Sequence, residues 1–161
     1  MLQFPTLLIG LGGIGSEVVE RVYEAVPEDS RSRLAVHAFD TNVYDIDKRK
    51  GLGDRIIQTS RPWTVGMYLR QDETVRRWFP DEHSLLLGKP VTDGAGQVRV
   101  ISRLVYRAAM GANRLNGLED EINRISRVSG DRTQPSTRVI IVSSLAGGTG
   151  AGIFLQTALY L

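Results

Sequence analysis

The sequence predicts a doubly wound parallel α/β sheet, and three observations carry that prediction. Short apolar stretches suited to buried strands alternate with segments of helical periodicity. The strands at residues 4–9 and 138–143 each run into a glycine-rich turn that opens a helix. Glycine is also in excess: there are seventeen in 161 residues, and ten of them fall at Gly10 to Gly15, at Gly94 with Gly96, and at Gly147 to Gly152. Clustered glycine marks backbone held close to another group, or turned where a side chain cannot go.

The elements follow in order. Residues 4–9 (Phe-Pro-Thr-Leu-Leu-Ile) read as a buried strand, with Pro5 confined to its first positions. Residues 10–15 turn the chain into a helix with Ser16 and Glu17 in its first turn and Val18, Val19, Val22, Tyr23 and Val26 on one face. Pro27 ends it, 28–33 is a charged connection, and 34–39 make a second strand ending at Asp40. In the middle, 45–50 is a charged, exposed segment and 55–59 a short strand. Residues 65–79 are helical up to Pro80, and 84–87 suit another short strand. From Val98, apolar residues recur at spacings of three and four as far as Ile125, one face of a helix of about 30 residues, on the order of 45 Å. Gly111 and Gly117 weaken its centre. A polar loop at 130–137 precedes Val-Ile-Ile-Val, a strand apolar on both faces, and residues 153–161 form the last helix.

Length and composition bound the function. One domain over residues 1–161 is expected, large enough to need no disulfide or metal staple. The absence of cysteine excludes disulfide frameworks, thiolate metal sites and cysteine nucleophiles. A net charge of +2 gives no argument for nucleic acid, although seventeen of the twenty basic residues are arginine. No apolar run reaches the roughly 18 residues of a membrane span, so a cytoplasmic protein without a membrane partner is the expectation.

The glycine turns carry the chemistry. Gly10-Leu11-Gly12-Gly13-Ile14-Gly15 fits G-x-G-x-x-G between a strand and a helix, where bare backbone can approach phosphate at a helix N-terminus. The same pattern also serves close packing alone. Asp40 ends the second strand, placed either to accept hydrogen bonds from ribose hydroxyls or to form an Asx turn with Thr41 and Asn42. Ala146-Gly147-Gly148-Thr149-Gly150-Ala151-Gly152 joins a buried strand to a helix, and its unhindered N–H groups with the Thr149 hydroxyl suit an anion. It contains no lysine and so is not the G-x-x-x-x-G-K-[ST] loop. In doubly wound sheets ligands sit at the carboxyl ends of the strands, where all three clusters fall.

On these residues the sequence resembles the tubulin/FtsZ superfamily, in particular divergent bacterial tubulin-like proteins. Residues 146–152 are similar to its Gly-Gly-Gly-Thr-Gly-(Ser/Thr)-Gly signature, with alanine replacing the first glycine and the hydroxyl residue. Gly10 to Gly15 resemble the first nucleotide loop, and Asp40-Thr41-Asn42 the second, Asn-Thr-Asp in FtsZ. Gly94-Ala95-Gly96-Gln97 resemble the third, which senses the γ-phosphate, and Glu17 stands where FtsZ has an asparagine near the base. The resemblance implies a Rossmann-like nucleotide domain binding GTP or GDP with Mg²⁺, and a protein that assembles head to tail with copies of itself. Hydrolysis would use an acidic loop from the next subunit, for which no motif is present here, so the chain is expected to be the N-terminal part of a longer protein. The resemblance assigns no catalytic residue and no metal-ligating side chain to this chain.

Other features carry less. Arg99, Arg103 and Arg107 form a basic helical stripe, read as a solvated face, with Arg99 the one placed to balance phosphate charge. His37 and His83 lack neighbours at ligand spacing, Ser143 and Ser144 lack a nucleophile elbow, and Trp63 and Trp78 read as packing anchors. The competing class is an adenylating enzyme of the ubiquitin-activating type or an NAD(P)-dependent oxidoreductase, which the first loop and Asp40 would suit. Neither needs the loop at Gly147 to Gly152.

Overall fold

The structure is a computed structural model that describes residues 4–127 and 137–161; most of the polar loop expected at 130–137 lies outside them. Its centre is a parallel sheet of β1 (Thr6–Leu11), β2 (Leu34–Asp40), β3 (Ile56–Gln58) and β4 (Arg138–Ser143), in the order β3-β2-β1-β4. β1 pairs with β2 from Thr6 against Leu34 to Leu11 against Phe39, and with β4 from Thr6 against Arg138 to Leu11 against Ser143. Every residue of β1 and β2 is buried, as a sheet covered on both faces requires. The α/β class read from the sequence is therefore the one observed.

Side-chain alternation divides β1 and β2 between two cores. Leu8, Val36 and Ala38 pack with Val19 of α1 (Gly12–Ala25) on one face. On the other, Leu7, Ile9, Leu11 and Phe39 pack against Tyr106 of α5 (Arg99–Gly111), Leu118 and Ile125 of α6 (Asn116–Arg127), and Ile153 of α7 (Gly148–Tyr160). Each fully buried Leu or Ile contributes about 2 kcal/mol by leaving water. A satellite core joins α5 to α3 (Val65–Gln71) and α4 (Glu73–Arg76), with Trp63 and Trp78 packed on it as anchors.

The differences from the sequence reading have local causes. β1 extends to Leu11, so α1 begins at Gly12 and Ser16 and Glu17 fall beyond its first turn. Gly15 brings α1 so close that a Cβ there would collide with the Val142 carbonyl, which sets the rotation of the helix. Gly15, Ser16, Val19 and Glu20 then face inward, while Val18 and Val22 stay 40% and 42% exposed. The helix expected at 65–79 breaks at Asp72, which is extended and caps α4 through the Thr74 N–H at 2.9 Å. Residues 84–87 are part of a 3-10 turn (Asp81–Leu86) rather than a strand, with Leu85 94% exposed. The charged segment at 45–50 contains most of a short helix, α2 (Val43–Asp47).

The long helix expected from Val98 is two helices, α5 and α6. After Gly111 the chain turns at Asn113, whose φ of 54° lies in the left-handed region. The turn is held by Arg114, whose guanidinium donates to the carbonyls of Gln58 at 2.5 Å and Thr59 at 3.2 Å. The apolar period survives because α6 folds back under the same sheet face that receives α5. His37 is buried beneath α6, near Gly117, with both ring nitrogens unpartnered and its pKa lowered by burial, so it is a neutral core residue. Left-handed backbone costs most L-residues about 1 kcal/mol, a cost that glycine escapes and that asparagine offsets by local hydrogen bonding of its short polar side chain. Asn113→Ala should accordingly lower unfolding free energy by about 1 kcal/mol in urea titrations, while Asn113→Gly leaves it near the wild-type value.

Candidate functional site

The three glycine turns meet at the carboxyl end of the sheet. They enclose a cavity of about 370 Å³ lined by Leu11, Gly12 and Gly13 from the first, Gly94, Ala95 and Gly96 from the third, and Ala146 to Gly150 from the signature segment. Asp40 and Asn42 line it from the end of β2. Backbone proximity explains the convergence. Gly12, at φ +73°, lets the chain pass from strand to helix within one residue. A Cβ on Gly150 would lie 2.7 Å from the Leu11 carbonyl oxygen, and one on Gly148 would lie 2.8 Å from Gln97 Cα, so the signature turn touches both of the others.

The helix starts around this cavity differ from those elsewhere. Asn42, Thr64 and Asp72 cap α2, α3 and α4 through side-chain oxygens that accept backbone N–H groups. At α1, α5 and α7 the capping positions are Leu11, Val98 and Gly147, none of which makes a side-chain cap, and no acidic residue lies in any of the three first turns. First-turn N–H groups have no partner within their own helix and carry the positive end of its dipole. Of these, α1 and α7 begin at the cavity and have no side-chain acceptor at their first turns, the arrangement an anion completes.

The cavity side chains bring no positive charge. Asp40, Asp45 and Asp93 line it and no lysine or arginine does. Lys48 pairs with Asp45 at 3.2 Å outside it, and Lys89 lies against Gly96. Arg99 donates to the Leu145 carbonyl at 3.1 Å, Arg103 stacks on Trp78 and Arg107 pairs with Asp72 at 3.2 Å. All three arginines are exposed, so the stripe is the solvated face expected, and each also makes one contact within the molecule. Among the described residues no three acidic or histidine side chains are grouped to hold a metal.

Asp40 fulfils one of its two sequence readings and leaves the other open. It is 2% exposed, and Oδ1 accepts the N–H groups of Thr41 at 2.7 Å and Asn42 at 3.1 Å, an Asx turn. Oδ2 is fully buried, with the Thr149 hydroxyl close to the carboxyl. The Thr149 hydroxyl bonds to that of Thr41 at 2.8 Å, tying the signature loop to the end of β2. Burial pushes the Asp40 carboxyl up to about 6, against the pull of the Asn42 and Thr41 N–H groups, with help from Asp45 and against a smaller pull from the Thr149 hydroxyl.

Five residues expected at the site do not line the cavity. Gly10 and Gly15 pack against one another, a Cβ on Gly10 lying 2.6 Å from the Gly15 oxygen. Thr41 acts through Thr149, and Gln97 is left-handed at φ 63° and supports Gly148 from behind. Glu17 is paired with Arg21 at 2.7 Å and Arg49 at 3.0 Å, because the early start of α1 carries it past the turn. Conversely Ile14, Asp45, Asp93 and Ser144 line the cavity unanticipated. Asp45 was readable as the acid three residues after the Asn42 cap, to which it is bonded at 3.0 Å, and Asp93 and Ser144 adjoin quoted motifs.

A family model described as tubulin-like matches residues 7–161, nearly the whole chain and all three turns. The chain belongs to the tubulin-like family. It is a tubulin/FtsZ-like domain, and the Rossmann-like sheet is the fold that assignment requires. No curated protein and no solved structure gives a significant match. No helix among the described residues is long and apolar enough to cross a membrane.

The Asp40 carboxyl makes stability pH-dependent in a stated direction. Between the ordinary value of 3.8 and the folded value of about 6 the native protein holds the extra proton, so stability falls as pH rises through that window and is level above it. Asp40→Asn retains the Asx turn and removes the buried charge. It should raise the urea midpoint at pH 7 by an amount equivalent to about 2–3 kcal/mol, and the gain should vanish near pH 4.

Proposed function

We propose that this tubulin-like domain binds a guanine nucleotide, GTP or GDP, and serves a self-assembling, head-to-tail GTPase. The observation that carries the reading is the meeting at one cavity of two uncapped helix starts, those of α1 and α7, with the bare turn at Gly94 to Gly96. A dinucleotide or adenylating enzyme needs one such turn, whereas a chain of phosphates can span several. Guanine and filament formation come from the family resemblance, and no side chain of the cavity identifies the base.

In this reading Gly147 to Gly150 hold the inner phosphates at the start of α7, and Gly12 and Gly13 approach them from α1. Gly94 to Gly96 meet the terminal phosphate at the start of α5, with Gln97 fixing that turn against Gly148. Loss of the terminal phosphate would relax the α5 turn, coupling nucleotide state to the surface α5 presents. Charge developing on phosphate is met by aligned backbone dipoles, with no covalent residue. Mg²⁺, when bound, would neutralise phosphate oxygens. The water-positioning acidic loop would come from the adjacent subunit, and the chain would be the N-terminal part of a longer protein. That last point is supported by β4, whose outer edge is unpaired among the described residues while Val139 and Ile140 are 45% and 41% exposed.

Two measurements test the reading. Denaturing the purified protein and weighing the released small molecule should give GDP or GTP; NAD or AMP would overturn it. A bulky side chain at Gly150 would disturb the fold through Leu11, but a Cβ at Gly147 meets nothing closer than the Ser144 oxygen at 3.9 Å. Gly147→Leu should therefore weaken GDP binding at least tenfold at an unchanged melting temperature, and undiminished binding would remove the signature turn from the site.

A further inference from the structure

A second and larger cavity, of about 750 Å³, lies away from the glycine turns and shares no lining residue with the site described above. It is enclosed by α3 and α4 on one side and by the C-terminal halves of α5 and α7 on the other. Its volume is that of small-molecule sites, and so is its lining, mostly apolar with a few polar groups. Trp63 and Tyr68 meet edge to face at 5.2 Å and give it a rigid aromatic wall, with Leu104, Met110 and Leu159 completing the apolar surface. Its charges do not cancel. Arg107 donates to Asp72 at 3.2 Å, which neutralises that pair. The Arg61 guanidinium lies over the Trp63 ring, 5.1 Å from its centroid, and pairs with no carboxylate among the described residues. Arg114 is close enough for the two charges to repel, and its own guanidinium is committed to the carbonyls of Gln58, Thr59 and Ser60. The cavity wall is therefore aromatic and carries one uncompensated positive charge.

We propose that this cavity is a second ligand site, for a small aromatic monoanion whose rings pack against Trp63 and Tyr68 and whose acid group pairs with the Arg61 guanidinium. A guanidinium held over an indole keeps its N–H groups available, and the stacking limits the rotamer freedom lost when a carboxylate binds them. The aromatic wall favours a flat ring system over an alkyl chain, because ring pairs gain energy beyond the area they bury. A single negative charge matches the single unpaired cation, whereas a polyphosphate would leave charge unmet among apolar side chains. The place of the site in the fold is also distinctive. α5 and α7 start at the glycine turns and end here, and they are joined near their starts by the Ser102 hydroxyl, which donates to the Gly148 carbonyl at 2.8 Å. The two cavities are thus opposite ends of one packed helix pair. The assignment stands independently of what the glycine turns bind.

The test is a ¹⁵N–¹H NMR titration of the protein with 2-naphthoate, followed on the indole N–H signals of its two tryptophans. Trp63 lines the cavity, while Trp78 lies outside it under Arg103 and serves as the internal control. The Trp63 signal should shift to saturation with a Kd below about 1 mM while that of Trp78 stays in place. Naphthalene-2-carboxamide, of the same shape and uncharged, should bind about three- to tenfold more weakly. Arg61→Gln should erase that preference and Arg61→Lys should restore most of it. Neither change touches the Arg61 backbone N–H, which donates to the Tyr68 hydroxyl at 2.6 Å. Ala108→Leu, which narrows the cavity, should weaken both compounds severalfold, and the Arg61 series decides the matter if that variant does not fold. A Trp63 signal that stays still into the millimolar range overturns the site. Equal affinity for acid and amide overturns the anion, and shifts at both indoles that never saturate mean surface adsorption only and overturn the proposal as well.

Discussion

The structure depends on backbone approaching backbone where no side chain is admitted. Gly10 against Gly15, Gly15 against the Val142 carbonyl, Gly150 against the end of β1, and Gly148 against Gln97 are contacts that a Cβ would break. They bring β1, β4 and the starts of α1, α5 and α7 to within van der Waals distance at one rim of the sheet. The same absence of side chains leaves those helix starts uncapped, so close packing and an anion-ready cavity are two results of one constraint. The distinction within the glycines matters for interpretation. Gly10 and Gly15 serve the packing, whereas Gly147, with open space around it, serves the cavity.

That rim is built to be incomplete. Three short helices are closed by the side chains of Asn42, Thr64 and Asp72. The starts of α1 and α7 at the cavity have no such cap, which leaves donors for a ligand to satisfy. The acidic lining adds a condition, since a polyanion must enter with a cation or a proton.

The sheet and the signature loops were legible in the sequence because each is written locally. Strands β1, β2 and β4 read as apolar runs, and the loops as glycines at fixed offsets from them. The helix boundaries were less legible. The single helix expected from Val98 to Ile125 misled because an apolar period records which face is buried, and α5 and α6 bury theirs against the same side of the sheet. Its break depends on Arg114 reaching carbonyls at residues 58 and 59, more than fifty positions away, which no local pattern contains. Glu17 was misplaced for a related reason. One left-handed glycine sufficed for the whole turn, and α1 started earlier than the motif suggests.

Alternation, glycine spacing and the carboxylate at the end of β2 are properties of neighbouring residues, and so the order of residues alone determined the fold class, the turns and their family. Which oxygen of Asp40 is spent on its own turn was decided only by folding. So was the engagement of every nearby arginine elsewhere, because burial and the choice of partners depend on segments that meet in space far from their positions along the chain.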